Sequence, residues 1–212
     1  MDNNRSERKA DQSLIGRVDF AGVKNLVLQR LEEGLPDFLT YHSVGHTEDV
    51  LHSATRIAKH EDVSAEDLTL LQTAALLHDS GFLFSTERHE EASCQYANEI
   101  LPEFRYEENE IDQLCQLISA TKLPQNPQSL LGEILCDADL DYLGRDDFWP
   151  ISNALYKEFL YLGVVNNKNE WNKLQVKFFK SHSYFTDTAK AWRNEQKAEH
   201  LKEIRSRIKK KN

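Results

Sequence analysis

The chain has 212 residues, 40% of them hydrophobic and 29% charged, with a formal net charge of -9. That length is enough for one domain with a sizeable core, and no apolar run approaches the ~20 residues that a membrane-spanning helix needs. The acidic balance argues against a surface built to hold nucleic acid.

The first residues, MDNNRSERKADQSLIG, are polar and lack the apolar segment of a secretory signal, so a cytoplasmic protein is expected. Residues 1–16 read as a flexible lead-in, 17–185 as the domain, and 186–212 as a C-terminal helix packed on it. From Phe20, FAGVKNLVLQRLEEGL puts Val23, Leu26, Val27 and Leu31 on one stripe, and Gly34 with Pro36 closes it. A second helix is predicted over 43–59. The stretch TYHSVGHTEDV at its start places His42 and His46 four residues apart, with Asp49 three further on. Next, SAED at 64–67 is an N-cap followed by an acid, and it introduces LTLLQTAALLHD, which is apolar nearly all round and is expected to be the most buried helix. His78 and Asp79 end it, with Gly81 expected in the left-handed conformation that stops a helix.

Six more helices are predicted at about 87–101, 108–120, 127–143, 147–162, 168–180 and 186–208, with Pro102, Pro124, Pro127 and Pro150 at or near the gaps. No stretch alternates with period two between hairpin signals. The fold class is therefore all-α, a compact bundle of about nine helices. Cys94, Cys115 and Cys136 contain no CxxC pair and read as reduced core thiols. Trp171 and Trp192 read as packing residues. From Lys190 to Asn212 nine Lys or Arg stand against three Glu, the pattern of a terminal helix whose cations complement its dipole.

Two segments strain these expectations. A carboxylate and an imidazole at the end of an apolar helix are costly to bury unless they are paired or bind a metal. In LGEILCDADLDYLGRDDF, Asp137, Asp139 and Asp141 stand at alternate positions, and their repulsion is unfavourable unless a cation lies nearby or they face different surroundings. The Gly and Glu of a calcium loop are missing. Imidazoles and carboxylates without thiolate suit a divalent cation such as Mn, Fe, Ni, Co or Mg, with Zn possible.

The order H … HD … D resembles the HD superfamily of metal-dependent phosphohydrolases. The resemblance covers roughly residues 41–145 and implies His46, His78, Asp79 and Asp139 as metal ligands. Asp139 is chosen because ADLDYL fits the family's A-D-x-L ending, and Asp137 is the rival. YHSVGHTEDV is similar to the Y-H-N-x-x-H-x-x-D-V segment of the cyclic-nucleotide phosphodiesterase branch, with Ser43 in place of Asn. That similarity implies His42 as general acid toward the leaving oxygen. His89 stands where a second metal would draw a ligand. Lys122 stands where some branches have a His, and as an ammonium it would anchor phosphate rather than metal. One metal rather than two is expected, with Asp79 also able to accept the proton of the attacking water. His182, Arg145 and Lys180 are further candidates for the site. The implied activity is phosphoester hydrolysis on a small phosphorylated, nucleotide-like substrate; the alternative is a non-catalytic metal- or nucleotide-binding signalling module on the same scaffold.

Overall fold

A computed structural model describes residues 14–208. The start of the polar lead-in and the last basic residues lie outside the described residues. Among the described residues nine α-helices follow in order: α1 (Phe20–Gly34), α2 (Val44–His60), α3 (Ala65–Leu77), α4 (His89–Ile100), α5 (Glu108–Ala120), α6 (Leu130–Asp139), α7 (Phe148–Tyr161), α8 (Lys168–Ser181) and α9 (Asp187–Ser206). Single 3-10 turns lie at Ser80–Leu83, Leu101–Phe104 and Asp141–Gly144. Among the described residues there is no strand, and no helix is long and apolar enough to cross a membrane.

Local chemistry sets the helix starts. Side chains of Asp19, Ser43, Ser64, Ser129, Asn167 and Thr186 accept from main-chain N–H groups of the turn that follows, and Glu107 with Glu110 forms a capping box for α5. Ser43 does for α2 what the Asn of the resembling motif could do, since both side chains offer an oxygen to the first turn.

Helix α3 is the centre of the larger core. Leu71, Ala74, Ala75, Leu76 and Leu77 are fully buried, enclosed by apolar side chains of α1, α2, α5 and α6. Each buried leucine contributes about 1.5–3 kcal/mol. A smaller cluster gathers Leu140, Tyr142, Leu143, Phe148, Phe179 and Ile204 where α7, α8 and α9 meet the end of α6. Arg193 of α9 bonds the buried Asp141, which fixes α9 against the 141–144 turn.

Three expectations need correction. The helix predicted over 127–143 stops at Asp139 and tightens into a 3-10 turn, because Asp137 and Asp141 are held by different parts of α9 and its entry loop. Gly81 is not left-handed: the positive-φ glycines are Gly16 and Gly163. It is a glycine because α4 crosses so close that an added Cβ would lie 1.9 Å from the His89 carbonyl oxygen and 2.7 Å from the Ser93 nitrogen. Of the three free cysteines, Cys136 is a buried core thiol, whereas Cys94 and Cys115 are partly buried and pack against the edge of the core.

Replacing Gly81 with Ala should therefore destabilise the protein by about 3 kcal/mol or more, the upper range for overpacking, because main chain rather than a flexible side-chain tip is in the way. At Gly45, where the nearest atom to an added Cβ is 3.7 Å away, the same change should cost nothing measurable in urea unfolding. Equal stability of the two variants would contradict this account of Gly81.

Candidate metal centre

Three elements bring four side chains together. His46 projects from the first turn of α2, His78 and Asp79 from the end of α3, and Asp139 from the last residue of α6. The Nε2 atoms of His46 and His78 are 3.4 Å apart. An oxygen of Asp79 lies 3.3 Å from the first and 3.2 Å from the second. An oxygen of Asp139 lies 3.2 and 3.6 Å from the same two nitrogens. His46, His78 and Asp139 offer donor atoms that all lie within 4.8 Å of one another, a set that can hold a metal ion.

The supporting contacts favour that use. His78 Nδ1 donates to the Ala75 carbonyl oxygen at 2.8 Å, which assigns the proton to that nitrogen and leaves Nε2 as a lone-pair donor toward the cluster. Burial alone would drive both imidazoles toward neutrality, but Asp79 and Asp139 outweigh it and hold them above their ordinary value. Burial equally opposes charge on the carboxylates; His78 and His46 nevertheless hold Asp79 well below the usual range and bring Asp139 down to about 2. Two anions thus remain charged inside the protein, and they require either two imidazolium protons or a cation in their place.

Asp137, the rival ligand, faces elsewhere. Its carboxylate accepts from the Phe185 and Thr186 main-chain N–H groups and from the Thr186 hydroxyl, each at 2.8 Å. Asp141 bonds Arg193 and Ser53. The three alternate aspartates therefore serve three environments, and only Asp139 reaches the histidines.

His42 lies beside the cluster with its ring stacked on Phe82 at 4.3 Å, and Phe82 stacks on His89 at 4.1 Å. Its Nδ1 bonds Glu158, a buried acid of α7 that also accepts from the main-chain N–H groups of Tyr41 and His42. Glu158 was missed in the sequence. The one signal is a Glu inside NALYKEFLYL, which is otherwise ordinary for a half-buried helix. His89 Nε2 lies 3.4 Å from the other oxygen of Asp79 and 3.5 Å from Glu90.

A cavity of about 500 Å³ opens onto this cluster. His42, Asp79, His89 and Asp139 line its polar end, and Lys122 stands at its mouth, 2.6 Å from Glu91. The opposite wall is apolar and comes from α7 and α8, chiefly Leu155, Phe159, Trp171, Leu174 and Phe178. Trp171 is thus both a packing residue and part of the cavity wall, while Trp192 packs between Arg56 and His60.

The remaining candidates lie outside the lining of the cavity. Arg145 grips Asp49 through two bonds of 2.7 and 2.8 Å and also pairs with Asp147, so neither Arg145 nor Asp49 faces the cluster. His182 packs against Phe178 and Tyr184, and burial pushes its pKa down to about 3. Neither His182 nor Lys180 lines the cavity.

The sequence pattern of the HD domain matches residues 44–141. A predicted HD superfamily hydrolase from an uncultured Thermotogales bacterium has a similar fold, with 23% identity, a TM-score of 0.57, and 86% of this chain and 89% of that chain covered. A Lactobacillus plantarum protein aligns with 19% identity and a TM-score of 0.63 over 88% of this chain and 95% of its own. Bacillus subtilis YpgQ, whose structure was solved in complex with ADP, aligns with 18% identity and a TM-score of 0.60 over 88% and 94%. No curated protein matches the sequence. At such identities the structural likeness is one of fold, but its helices carry the matched segment, and within that segment lie all four residues of the cluster. Residues 44–141, which carry the whole cluster, match the HD domain, and the fold is that of an HD domain.

Proposed function

We propose that this protein is a metal-dependent phosphohydrolase that cleaves a small phosphorylated, nucleotide-like substrate, with one divalent ion held by His46, His78, Asp79 and Asp139. The observation that carries this reading is the convergence of those four residues at the polar end of a cavity whose other lining residues include an imidazole and an ammonium. One ion is preferred because, among the described residues, a single group of three donors meets within binding distance. The ADP held by Bacillus subtilis YpgQ supports a nucleotide-like ligand.

A divalent ion there would lower the pKa of a water molecule from about 16 toward about 7 and offset charge on a phosphoryl oxygen. The chain's own residues divide the rest. His46 and His78 offer neutral nitrogens, with the His78 tautomer set by the Ala75 carbonyl. Asp79 and Asp139 supply the negative charge that makes the site selective for a cation, and Asp79 can accept the proton of the attacking water. His42, oriented through Nδ1 by Glu158, presents its other nitrogen to protonate the departing oxygen. Lys122 receives a phosphate oxygen at the mouth by exchanging its partner Glu91 for the substrate. The apolar wall of α7 and α8 takes the part of the substrate that carries no charge.

Asp139→Asn should lose the metal and the activity, as read by elemental analysis of protein purified without chelator. Asp137→Asn should keep the metal but lose about 1–3 kcal/mol of stability, because an amide nitrogen then meets main-chain N–H groups that need an acceptor. If Asp137→Asn were the variant that lost metal, the ligand assignment would be wrong.

The roles of His42 and Glu158 are separable from metal binding. His42→Ala should retain metal and lose about 10²–10⁴ in kcat on alkyl phosphates, the usual worth of a positioned acid, while a nitrophenyl phosphate, whose leaving group needs no proton, is largely spared. Glu158→Gln should show the same dependence on leaving group to a smaller degree. A His42→Ala defect equal on both ester types would remove the general-acid role. Metal-loaded wild-type protein that released phosphate from no member of a phosphoester library would favour the binding-module reading instead.

A further inference from the structure

A second cluster of reactive side chains lies outside the metal centre, where α4 runs antiparallel to α5. Cys94 Sγ is 3.6 Å from the Cys115 carbonyl oxygen, and Cys115 Sγ is 3.7 Å from the Cys94 carbonyl oxygen. The contact is reciprocal: each thiol is laid against the other residue's main chain, so both sulfurs occupy the same narrow space between the helices. Contacts on either side fix this register. Toward the cavity mouth, Cys94 Sγ is 3.9 Å from the Ser119 hydroxyl and Glu91 pairs with Lys122. In the other direction, the Asn98 amide donates to the Cys94 carbonyl at 2.8 Å and to Cys115 Sγ at 3.5 Å. Residues 94 and 98 of one helix thus meet 119 and 115 of the other, and residue 91 meets Lys122 just past its end.

Access and reactivity agree with this geometry. Both residues are only partly buried. A hydrogen bond from Cys115 holds the Cys94 thiol below its ordinary pKa, and the same contact, with burial, pushes Cys115 up. Cys94 is therefore the nucleophile of the two and Cys115 the thiol that remains protonated beside it. Cys136 stands apart, buried, with its thiol donating to the Ala120 carbonyl at 3.2 Å.

We infer that Cys94 and Cys115 form an oxidation site, a dithiol pair that closes to an intrachain disulfide between α4 and α5 when it meets a peroxide. In the first step the Cys94 thiolate attacks one peroxide oxygen, the O–O bond breaks, and Cys94 becomes a sulfenic acid as the peroxide leaves as alcohol or water. In the second, the Cys115 sulfur attacks the Cys94 sulfur, the S–S bond forms, and the sulfenic oxygen leaves as water with the Cys115 proton. Two thiols are oxidised by two electrons and one peroxide is reduced. The bond clamps the helix that begins with His89 and Glu90 to the helix that leads to Lys122, below the mouth of the cavity.

The test uses the full chain treated with hydrogen peroxide, quenched, unfolded, alkylated with N-ethylmaleimide and weighed by mass spectrometry. Untreated protein should take three labels, one per cysteine. Oxidised protein should take one label, on Cys136, yield a linked Cys94–Cys115 peptide that dithiothreitol releases, remain a single chain on a non-reducing gel, and melt at a higher temperature than the reduced form because the unfolded chain is cross-linked. Cys115→Ser should stop at the sulfenic acid on Cys94, trapped by dimedone, with no change in melting temperature on oxidation. Cys136→Ser should still form the bond. Three labels after peroxide, a Cys94 sulfinic acid with Cys115 still alkylatable, or a cross-link between chains would each overturn the inference.

Discussion

Asp79 and Asp139 are held charged beside two imidazoles inside the protein, and that electrostatic demand is what the surrounding helices serve. A buried carboxylate without compensation is far too costly to retain, and breaking such a cluster by removing one partner leaves an uncompensated charge. The compensation comes from the first turn of α2, the end of α3 and the end of α6, so those three helix ends have to meet. Alanines on the buried faces of these helices, Ala54, Ala74, Ala75 and Ala138 among them, leave room for that approach. The apolar core around α3 supplies the cohesive energy, and its reward at the helix end is a fixed placement of polar atoms.

The three alternate aspartates use one short sequence for three purposes. Asp137 satisfies the start of α9, Asp139 completes the cluster, and Asp141 holds Arg193 and Ser53. Repulsion among them is avoided because the helix tightens after Asp139 and sends successive carboxylates to different partners. α9 is therefore tied to the segment that carries Asp139 on both sides, which makes α9 part of what positions the His–Asp cluster.

Beyond the HD segment, the chain decides what fills the space before the cluster. Leu155, Phe159, Trp171, Leu174 and Phe178 belong to α7 and α8, outside residues 44–141. Glu158, which fixes the His42 ring, belongs to the same part. The matched segment thus supplies the four clustered side chains, and the helices after it supply the shape of the cavity and the orientation of the neighbouring imidazole.

Helix number, the all-α class and the centrality of α3 were legible in the sequence because each depends on local periodicity and on capping chemistry within a few residues. The adjacent His78 and Asp79 were legible as a site for the same reason: polar residues ending an apolar helix conflict with their surroundings at short range. The choice of Asp139 over Asp137 rested on a family resemblance, since spacing alone puts both on the same helix; only the position of the loop before α9 separates them. Arg145 offered the charge of a phosphate contact, yet its guanidinium is spent on Asp49, which is 96 residues away in the chain. Glu158 had only the weak mark of an acid inside a half-apolar helix, and nothing local marked Cys94 and Cys115 as facing each other. The sequence by itself determined which segments are helical and which of them carry groups too polar for their neighbours. The tertiary structure alone decided which polar groups meet, because a pairing between distant residues depends on how helices cross, and nothing in either residue's own neighbourhood encodes that crossing.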